Sequence, residues 1–385
     1  MGRNGYEYEF IEKIVKYVFR KISHVPLYVA NYPVGLESRV LEVNSLIDFG
    51  SNSEVQMLGI YGIGGMGKTT LARAVYNSIA DQFDGLCFLN DIRANSAKYG
   101  LEHLQEKLLS KLIELEVKLG DVNEGIPIIK QRLQRKKVLL ILDDVHELKQ
   151  LQVLAGRLDW FGPGSRVIIT TRDEQLLASH GIEREYEIDN LNVKEAFELL
   201  RWNAFKNNKV DTNFDSVLRH AVTYASGLPL ALEVVGSNLF GRNIGEWKSA
   251  LNQYERIPIK KIQEILKVSF DALEEDEQNV FLDIACCFKG YELRELEDIL
   301  HAHYGNCMKH QIRVLHEKTL IKFNLCSWGY VTLHALIEKM GKEIVREKFP
   351  KGPGRRSRWW FHRDIIHVLE ANKVNTYNIH EWFFC

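Results

Sequence analysis

The segment GIGGMGKTT, from Gly62 to Thr70, decides the fold of this 385-residue chain. It satisfies the pattern G-x-x-x-x-G-K-[ST], in which glycines let successive main-chain N–H groups face phosphate oxygens. MLGIYG, which leads into the segment, is a short apolar run typical of a strand, and TTLARAVYNSIADQF, which begins at its end, has helical spacing. A glycine-rich loop that opens a helix predicts a polyphosphate-binding loop, because the helix N-terminus favours negative charge.

Two side chains at the end of this loop have predicted chemical roles. We expect the Lys68 ammonium to lie between the β and γ phosphates and the Thr69 hydroxyl to bind Mg²⁺. The nucleotide-binding residues predicted within the loop are Gly62, Gly64, Gly65, Met66, Gly67, Lys68, Thr69 and Thr70.

A second buried strand ends in two carboxylates. VLLILDD, residues 138–144, delivers Asp143 and Asp144 to the carboxyl edge of the sheet, where open α/β sheets bind ligands. We expect Asp143 to hold Mg²⁺ through water and Asp144 to be the catalytic base. Fast ATPases of this broad type have a Glu as the base at this position. Because the Asp side chain is shorter, it reaches the attacking water less well, so at most slow ATP hydrolysis is expected.

A third strand, VIITTRD, ends near Arg172. An arginine at the carboxyl end of a strand beside the phosphate site can sense the γ phosphate through charge-assisted hydrogen bonds. A solvated arginine is the alternative interpretation.

Strands and helices alternate from Gln56 to about residue 190, which predicts a doubly wound parallel sheet. Helical periodicity then dominates, and TLIKFN and YVTLHAL are expected to pair as the hairpin of a winged helix. The predicted fold is therefore α/β, a P-loop NTPase sheet followed by a helical subdomain and a winged-helix subdomain. The predicted ranges are 1–33 (linker helix), 34–188 (nucleotide-binding), 189–256 (helical), 257–350 (winged helix) and 351–385 (C-terminal tail).

Two other nucleotide sites have partial motifs here. Gly62, Gly64 and Gly67 also spell G-x-G-x-x-G, with Asp91 near the place of a ribose-binding acid. The Lys-Thr pair after the last glycine and the second acidic strand disfavour that dinucleotide site. The sequence NKVD at 208–211 matches a guanine-reading motif, but it follows a helical segment rather than a strand.

Bulk composition argues against nucleic acid or membrane partners. Fifty basic residues face fifty-one acidic ones, so the chain has no strong net charge. No apolar run approaches the roughly 20 residues that span a bilayer, and the N-terminus shows no secretory pattern. The six cysteines form no C-x-x-C pair, so free thiols are predicted. These features predict a cytoplasmic protein, with the nucleus as an alternative.

The basic and aromatic segment RRSRWW, residues 355–360, is a candidate for stacking on nucleic acid. Because the patch is short, we expect no clear nucleic-acid partner.

In this order, the blocks of sequence resemble the NB-ARC nucleotide-binding core of plant TIR–NBS–LRR disease resistance proteins. The blocks are VGLESRV, GIGGMGKTT, KVLLILDDV, GSRVIITTRD, ASGLPLALEVVGSNL, FLDIACCF and LHALIEKMGKEIVRE. The resemblance implies an ADP/ATP switch of an intracellular immune receptor that signals in defence against pathogens. ADP would hold it closed, and the ATP-bound form would open and oligomerise with NB-ARC proteins. A continuously hydrolysing P-loop ATPase is the alternative.

Further roles follow from the same resemblance. Val34 and Gly35 would contact the adenine end, Pro229 would pack on the base or ribose, and His334 would reach the β phosphate of ADP. A helix-start proline is the alternative for Pro229. The family motif Met-His-Asp has Ala335 in place of its Asp, so weaker ADP retention is expected. The chain is also expected to be a truncated form, without a TIR domain and its NADase chemistry and without leucine-rich repeats.

Overall fold

The computed structural model describes residues 25–47, 54–206, 212–323, 329–348, 356–360 and 366. Most of the predicted linker-helix range 1–33, the NKVD sequence and most of the predicted C-terminal tail lie outside the described residues. The chain divides into two compact units, which interleave along the sequence. The first contains the described residues of Met1–Tyr61, Lys68–Thr171 and Leu176–Glu187, and the second those of Gly62–Gly67, Arg172–Gln175 and Ile188–Cys385.

A five-stranded sheet organises the first unit. Its strands are β1 (Gln56–Tyr61), β2 (Gly85–Leu89), β3 (Val138–Val145), β4 (Arg166–Thr171) and β5 (Arg184–Glu187). They lie in the order β2-β3-β4-β1-β5, and every neighbouring pair is parallel. The predicted doubly wound parallel sheet is confirmed. The last strand, β5, ends at Glu187, and the following Ile188 belongs to the second unit.

Helices alternate with these strands, as crossover connections between parallel strands require. They are α1 (Leu36–Leu46), α2 (Lys68–Ile79), α3 (Ile92–Tyr99), α4 (Leu101–Ile113), α5 (Val122–Leu133), α6 (Leu148–Leu154) and α7 (Glu174–Ser179), with short 3₁₀ turns at Ala80–Gln82 and Leu158–Trp160. The apolar run of β3 is fully buried in the core of this unit. This burial holds β3 in position, and with it Asp143 and Asp144 near the end of the strand.

The second unit begins with a group of four helices, α8 (Val193–Phe205), α9 (Asp215–Ala225), α10 (Pro229–Leu239) and α11 (Ile244–Arg256), with a 3₁₀ turn at Thr212–Phe214. Asn192 and Asn243 begin α8 and α11 with capping boxes, in which side chain and backbone exchange hydrogen bonds. Trp247 is fully buried and its ring stacks on Phe205 at 5.5 Å between centroids.

Further helices follow, α12 (Lys260–Asp271), α13 (Glu275–Asp283), a π-helical turn at Ile284–Phe288, α14 (Leu293–Tyr304), α15 (Lys309–Glu317) and α16 (Ala335–Lys348). Among the described residues, the predicted hairpin is present as an isolated antiparallel bridge, and a second bridge lies beside it. Lys322 and Thr332 exchange two main-chain hydrogen bonds of 2.8 Å, and Glu292 pairs with Tyr330.

Most of the described side chains of segment RRSRWW are buried, where they are not accessible for stacking on nucleic acid. Within its described part, Arg356, Arg358 and Trp359 are buried. The Arg358 guanidinium forms an ion pair with Asp283 and donates to the Asn279 carbonyl at 3.0 Å. These side chains therefore support the fold of the second unit.

Three of the described cysteines, Cys87, Cys286 and Cys307, are free thiols, as predicted. Cys287 is disulfide-bonded, so the prediction was wrong there. Across the described ranges, no helix combines the length and apolar character that crossing a bilayer demands.

Candidate functional site

Asp143 is the centre of a polar cluster in the first unit. Its Oδ1 accepts hydrogen bonds from the Thr69 hydroxyl at 2.8 Å and from the Thr170 hydroxyl at 2.7 Å. Thr69 lies in the first turn of α2, whereas Thr170 lies near the end of β4. Two of the predicted site residues are thus brought together, and Thr170 joins them.

Strand order explains this cluster. Because β4 lies directly beside β3, the polar ends of the two strands meet at one edge of the sheet. The register shifts between Leu142 and Val145, and within this bulge Asp144 adopts φ +55°. The Asp144 N–H donates to the Thr170 hydroxyl at 2.8 Å, so one threonine side chain bridges both aspartates.

The electrostatics of Asp143 fit a cation-binding role. Burial raises the pKa of Asp143 above its ordinary value, against the opposing effect of hydrogen bonds from Thr170, Thr69 and the Asp91 main chain. A carboxylate only 3% exposed is stabilised by a nearby positive charge. Mg²⁺ commonly uses one or two carboxylates together with substrate phosphates. Accordingly, Asp143 and the Thr69 hydroxyl fit as its protein ligands.

No group of three His, Cys, Asp or Glu side chains among the described residues forms a metal cluster.

Asp144, the predicted base, faces an arginine that the sequence reasoning missed. Arg93 in the first turn of α3 approaches one carboxylate oxygen with Nε at 3.3 Å and the other with Nη2 at 3.4 Å. Both side chains are about one-fifth exposed, at 23% for Arg93 and 21% for Asp144.

The glycine-rich loop belongs to the second unit up to Gly67. Gly62, Gly65 and Gly67 have φ of +146°, +84° and +90°, a region that favours glycine. The Gly65 carbonyl accepts a 3.2 Å hydrogen bond from the Leu230 N–H. A Cβ at Gly65 would stand 2.9 Å from the Leu230 side chain, so glycine permits this close approach. Leu230 is a second contact residue that the sequence reasoning missed.

Arg172 is half-buried and lies against Gly64 in the same unit. A Cβ at Gly64 would stand 2.6 Å from its Nη1, and this nitrogen donates to the Ile265 carbonyl in α12 at 2.8 Å. The guanidinium is therefore bound within the protein next to the loop, unlike the solvated alternative.

Pro229 is the first residue of α10, where its missing N–H costs no hydrogen bond. His334 immediately precedes α16. Its Nδ1 accepts from the Leu336 N–H at 3.2 Å, so its Nε2 carries the proton and donates to the Ser226 carbonyl at 3.1 Å. Burial lowers the pKa of His334, which favours this neutral ring. The segment before Pro229 is thereby tied to the start of α16.

Val34 and Gly35 lie in the first unit, at the turn that opens α1. Gly35 has φ +64° and its carbonyl accepts from Arg39. The preceding segment is held on α2, because Leu27 and the Asn77 amide exchange two hydrogen bonds of 2.8 Å.

The dinucleotide alternative conflicts with the sheet. Its fingerprint requires the strand ending in the acid to lie beside the strand before the glycines. Here β3 and β4 separate β2 from β1, and the Asp91 main chain bonds to Asp143.

Comparison with known proteins identifies two matched regions. Residues 40–210 match the NB-ARC domain, and residues 274–349 match the winged-helix domain described as disease resistance protein Roq1-like. The predicted winged-helix subdomain is confirmed by the second match.

Curated relatives cover nearly the whole chain. TMV resistance protein N of Nicotiana glutinosa is 38% identical over 96% of this chain and 32% of its own length. Disease resistance protein RUN1 of Vitis rotundifolia is 37% identical over 96% of this chain and 28% of its own. The chain thus spans about a third of the length of these relatives.

Among solved structures, the chain is similar to a signal transduction ATPase with numerous domains from Pyrococcus horikoshii. The TM-score is 0.40 and the identity 17%, over 90% of this chain and 46% of that one. This likeness is too weak to add to the fold already described.

Proposed function

Since this chain belongs to the NB-ARC family of plant disease resistance proteins, we propose that it is an ADP/ATP-binding molecular switch that signals in defence against pathogens. The observation that carries the proposal is the cluster of Thr69, Asp143 and Thr170. A hydroxyl from the helix after the glycine-rich loop meets a buried carboxylate at 2.8 Å, which is the ligand pair that a magnesium nucleotide requires.

Different residues bind the phosphates, the Mg²⁺ ion and the adenine. Main-chain N–H groups from Gly62 to Thr70 and the Lys68 ammonium bind the phosphates, while Thr69 and Asp143 bind Mg²⁺. When bound, Mg²⁺ neutralises charge on the phosphates. Val34 and Gly35 contact the adenine end.

Exchange of nucleotide changes the state of the switch. Pro229 contacts the base or ribose, and His334 contacts the β phosphate of ADP, so ADP favours the closed form. Arg172 binds the γ phosphate of ATP, and the ATP-bound form oligomerises with NB-ARC proteins. We place this switch in the cytoplasm, with the nucleus as an alternative. Its domains are those predicted from the sequence, namely 1–33, 34–188, 189–256, 257–350 and 351–385.

Slow hydrolysis by Asp144 resets the switch. A continuously working ATPase would instead turn over at about 10 per second, the median for ordinary enzymes. The switch and the continuously working ATPase differ in whether the purified protein retains bound nucleotide.

Denaturing the purified chain and identifying the released nucleotide tests the proposal. We expect close to one ADP per chain and negligible steady-state turnover. Lys68→Ala should release none, and Lys149→Ala, a change remote from the loop in the sequence, should release as much as the wild type. Nucleotide-free protein with turnover near the median value would contradict the switch.

A further inference from the structure

Arg93 occupies a position that the proposed function does not yet use. It follows β2 and lies in the first turn of α3, and its guanidinium approaches both oxygens of Asp144, at 3.3 and 3.4 Å. Nη2 donates a long hydrogen bond to one oxygen, whereas Nε approaches the other as an ion pair without a hydrogen bond, so the positive charge lies beside both carboxylate oxygens.

Backbone geometry fixes both partners. Asp91, at the turn before α3, has φ +51°, and its main chain bonds to Asp143. Asp144 has φ +55° and its N–H is bound to the Thr170 hydroxyl. Non-glycine residues at such φ are uncommon and persist where surrounding contacts hold them. The pairing of Arg93 with Asp144 is therefore built into the turns around Asp143.

The chemistry of hydrolysis gives this pairing a consequence. A water oxygen forms a bond to the γ phosphorus, the bond from that phosphorus to the bridging oxygen breaks, and ADP leaves. The water proton passes to a carboxylate base, which needs a lone pair directed at the water. In this structure the guanidinium faces both oxygens of Asp144.

We propose that Arg93 is a positioning residue that withholds Asp144 from the attacking water, so that bound ATP is kept rather than consumed. This inference rests on the proposed function, because it concerns the hydrolysis that resets the switch. Slow hydrolysis then has two causes, the contact of Arg93 with Asp144 and the shorter side chain of an aspartate.

The experiment compares kcat with nucleotide affinity in the full chain. Arg93→Ala should raise kcat for ATP at least about tenfold, since a freed general base contributes roughly 10²–10⁴-fold. The dissociation constant for ADP should stay within about threefold. Arg93→Lys should give an intermediate kcat. The double variant Arg93→Ala/Asp144→Asn should lose the gain, because the gain depends on the freed carboxylate.

Arg73→Ala is the matched control, since Arg73 is also an arginine of this unit but contacts Asn90 and the Phe88 ring. It should leave kcat unchanged. An unchanged or lower kcat in Arg93→Ala, with ADP still bound, would overturn the inference, as would a gain that survives Asp144→Asn. Loss of nucleotide binding by the wild type would instead overturn the proposed function.

Discussion

Replacing Thr170 by Val removes the side chain that bridges the two aspartates while nearly keeping its shape. Two hydrogen bonds are lost, one donated to the buried Asp143 carboxylate and one accepted from the Asp144 N–H. A bond to a charged group contributes about 1.5–3 kcal/mol and a neutral bond about 1 kcal/mol, so the free energy of unfolding should fall by about 3 kcal/mol.

Thr171→Val is the matched control on the neighbouring residue. The Thr171 hydroxyl is equally buried and donates to the Val145 carbonyl at 2.8 Å. This variant should lose about 1 kcal/mol and should keep its affinity for nucleotide.

Urea unfolding measures the stability loss, and calorimetry with ADP, with and without Mg²⁺, measures the effect on the site. In Thr170→Val the Asp143 carboxylate loses a donor that holds it in place and favours its ionised form. We expect the gain in affinity from Mg²⁺ to fall about tenfold, which corresponds to about 1.4 kcal/mol. An unchanged Mg²⁺ effect in Thr170→Val, or an equal loss in Thr171→Val, would refute the reasoning.

Three more outcomes are expected. Arg358→Met should lower the free energy of unfolding by about 3–5 kcal/mol, because it leaves the Asp283 carboxylate buried without its cation; a urea midpoint close to the wild type would contradict this. Burial lowers the pKa of His334, so the unfolded chain takes up its proton at higher pH, and stability should fall as pH drops below about 6.5. His334→Gln should flatten that slope in unfolding curves at pH 5.5 and 7.5, and equal slopes would exclude a contribution from His334. Ala335→Asp should slow ADP release relative to Ala335→Asn, and equal release rates would end the idea that the missing carboxylate weakens the ADP lock.

Local patterns in the sequence predicted the parts of the site that are contiguous in the chain. The run VLLILDD predicted a buried strand with Asp143 at its end, and the structure has this arrangement. The resemblance to the NB-ARC core of disease resistance proteins is likewise confirmed by the matched regions. The strand run and each block that carries the resemblance consist of residues that are contiguous in sequence.

Contacts between distant segments could not be predicted in this way. Thr170 meets Asp143 only because β4 lies beside β3, and Arg93 meets Asp144 only because of the turns at Asp91 and Asp144. The segment VIITTRD does contain a usable pattern, because it places two threonines at the end of a strand. Their hydroxyls could have been predicted to bind the aspartates that end VLLILDD.

Helix α5 shows why some elements escape sequence patterns. It contains Gly125 and Pro127, which both weaken a helix. A Cβ at Gly125 would stand 2.3 Å from the Gln105 side chain, so tertiary packing requires the glycine. The N-cap Asp121, whose side chain accepts from the Asn123 N–H at 2.6 Å, secures the helix start.

Calorimetric titration of nucleotide-free protein with ADP and Mg²⁺ tests most directly whether the Gly62–Thr70 segment grips polyphosphate. Saturable heat near one site per chain, with a matching rise in thermal stability, is expected for the wild type and should vanish in Lys68→Ala. No heat and no thermal shift in the wild type, or equal binding by Lys68→Ala, would contradict the account.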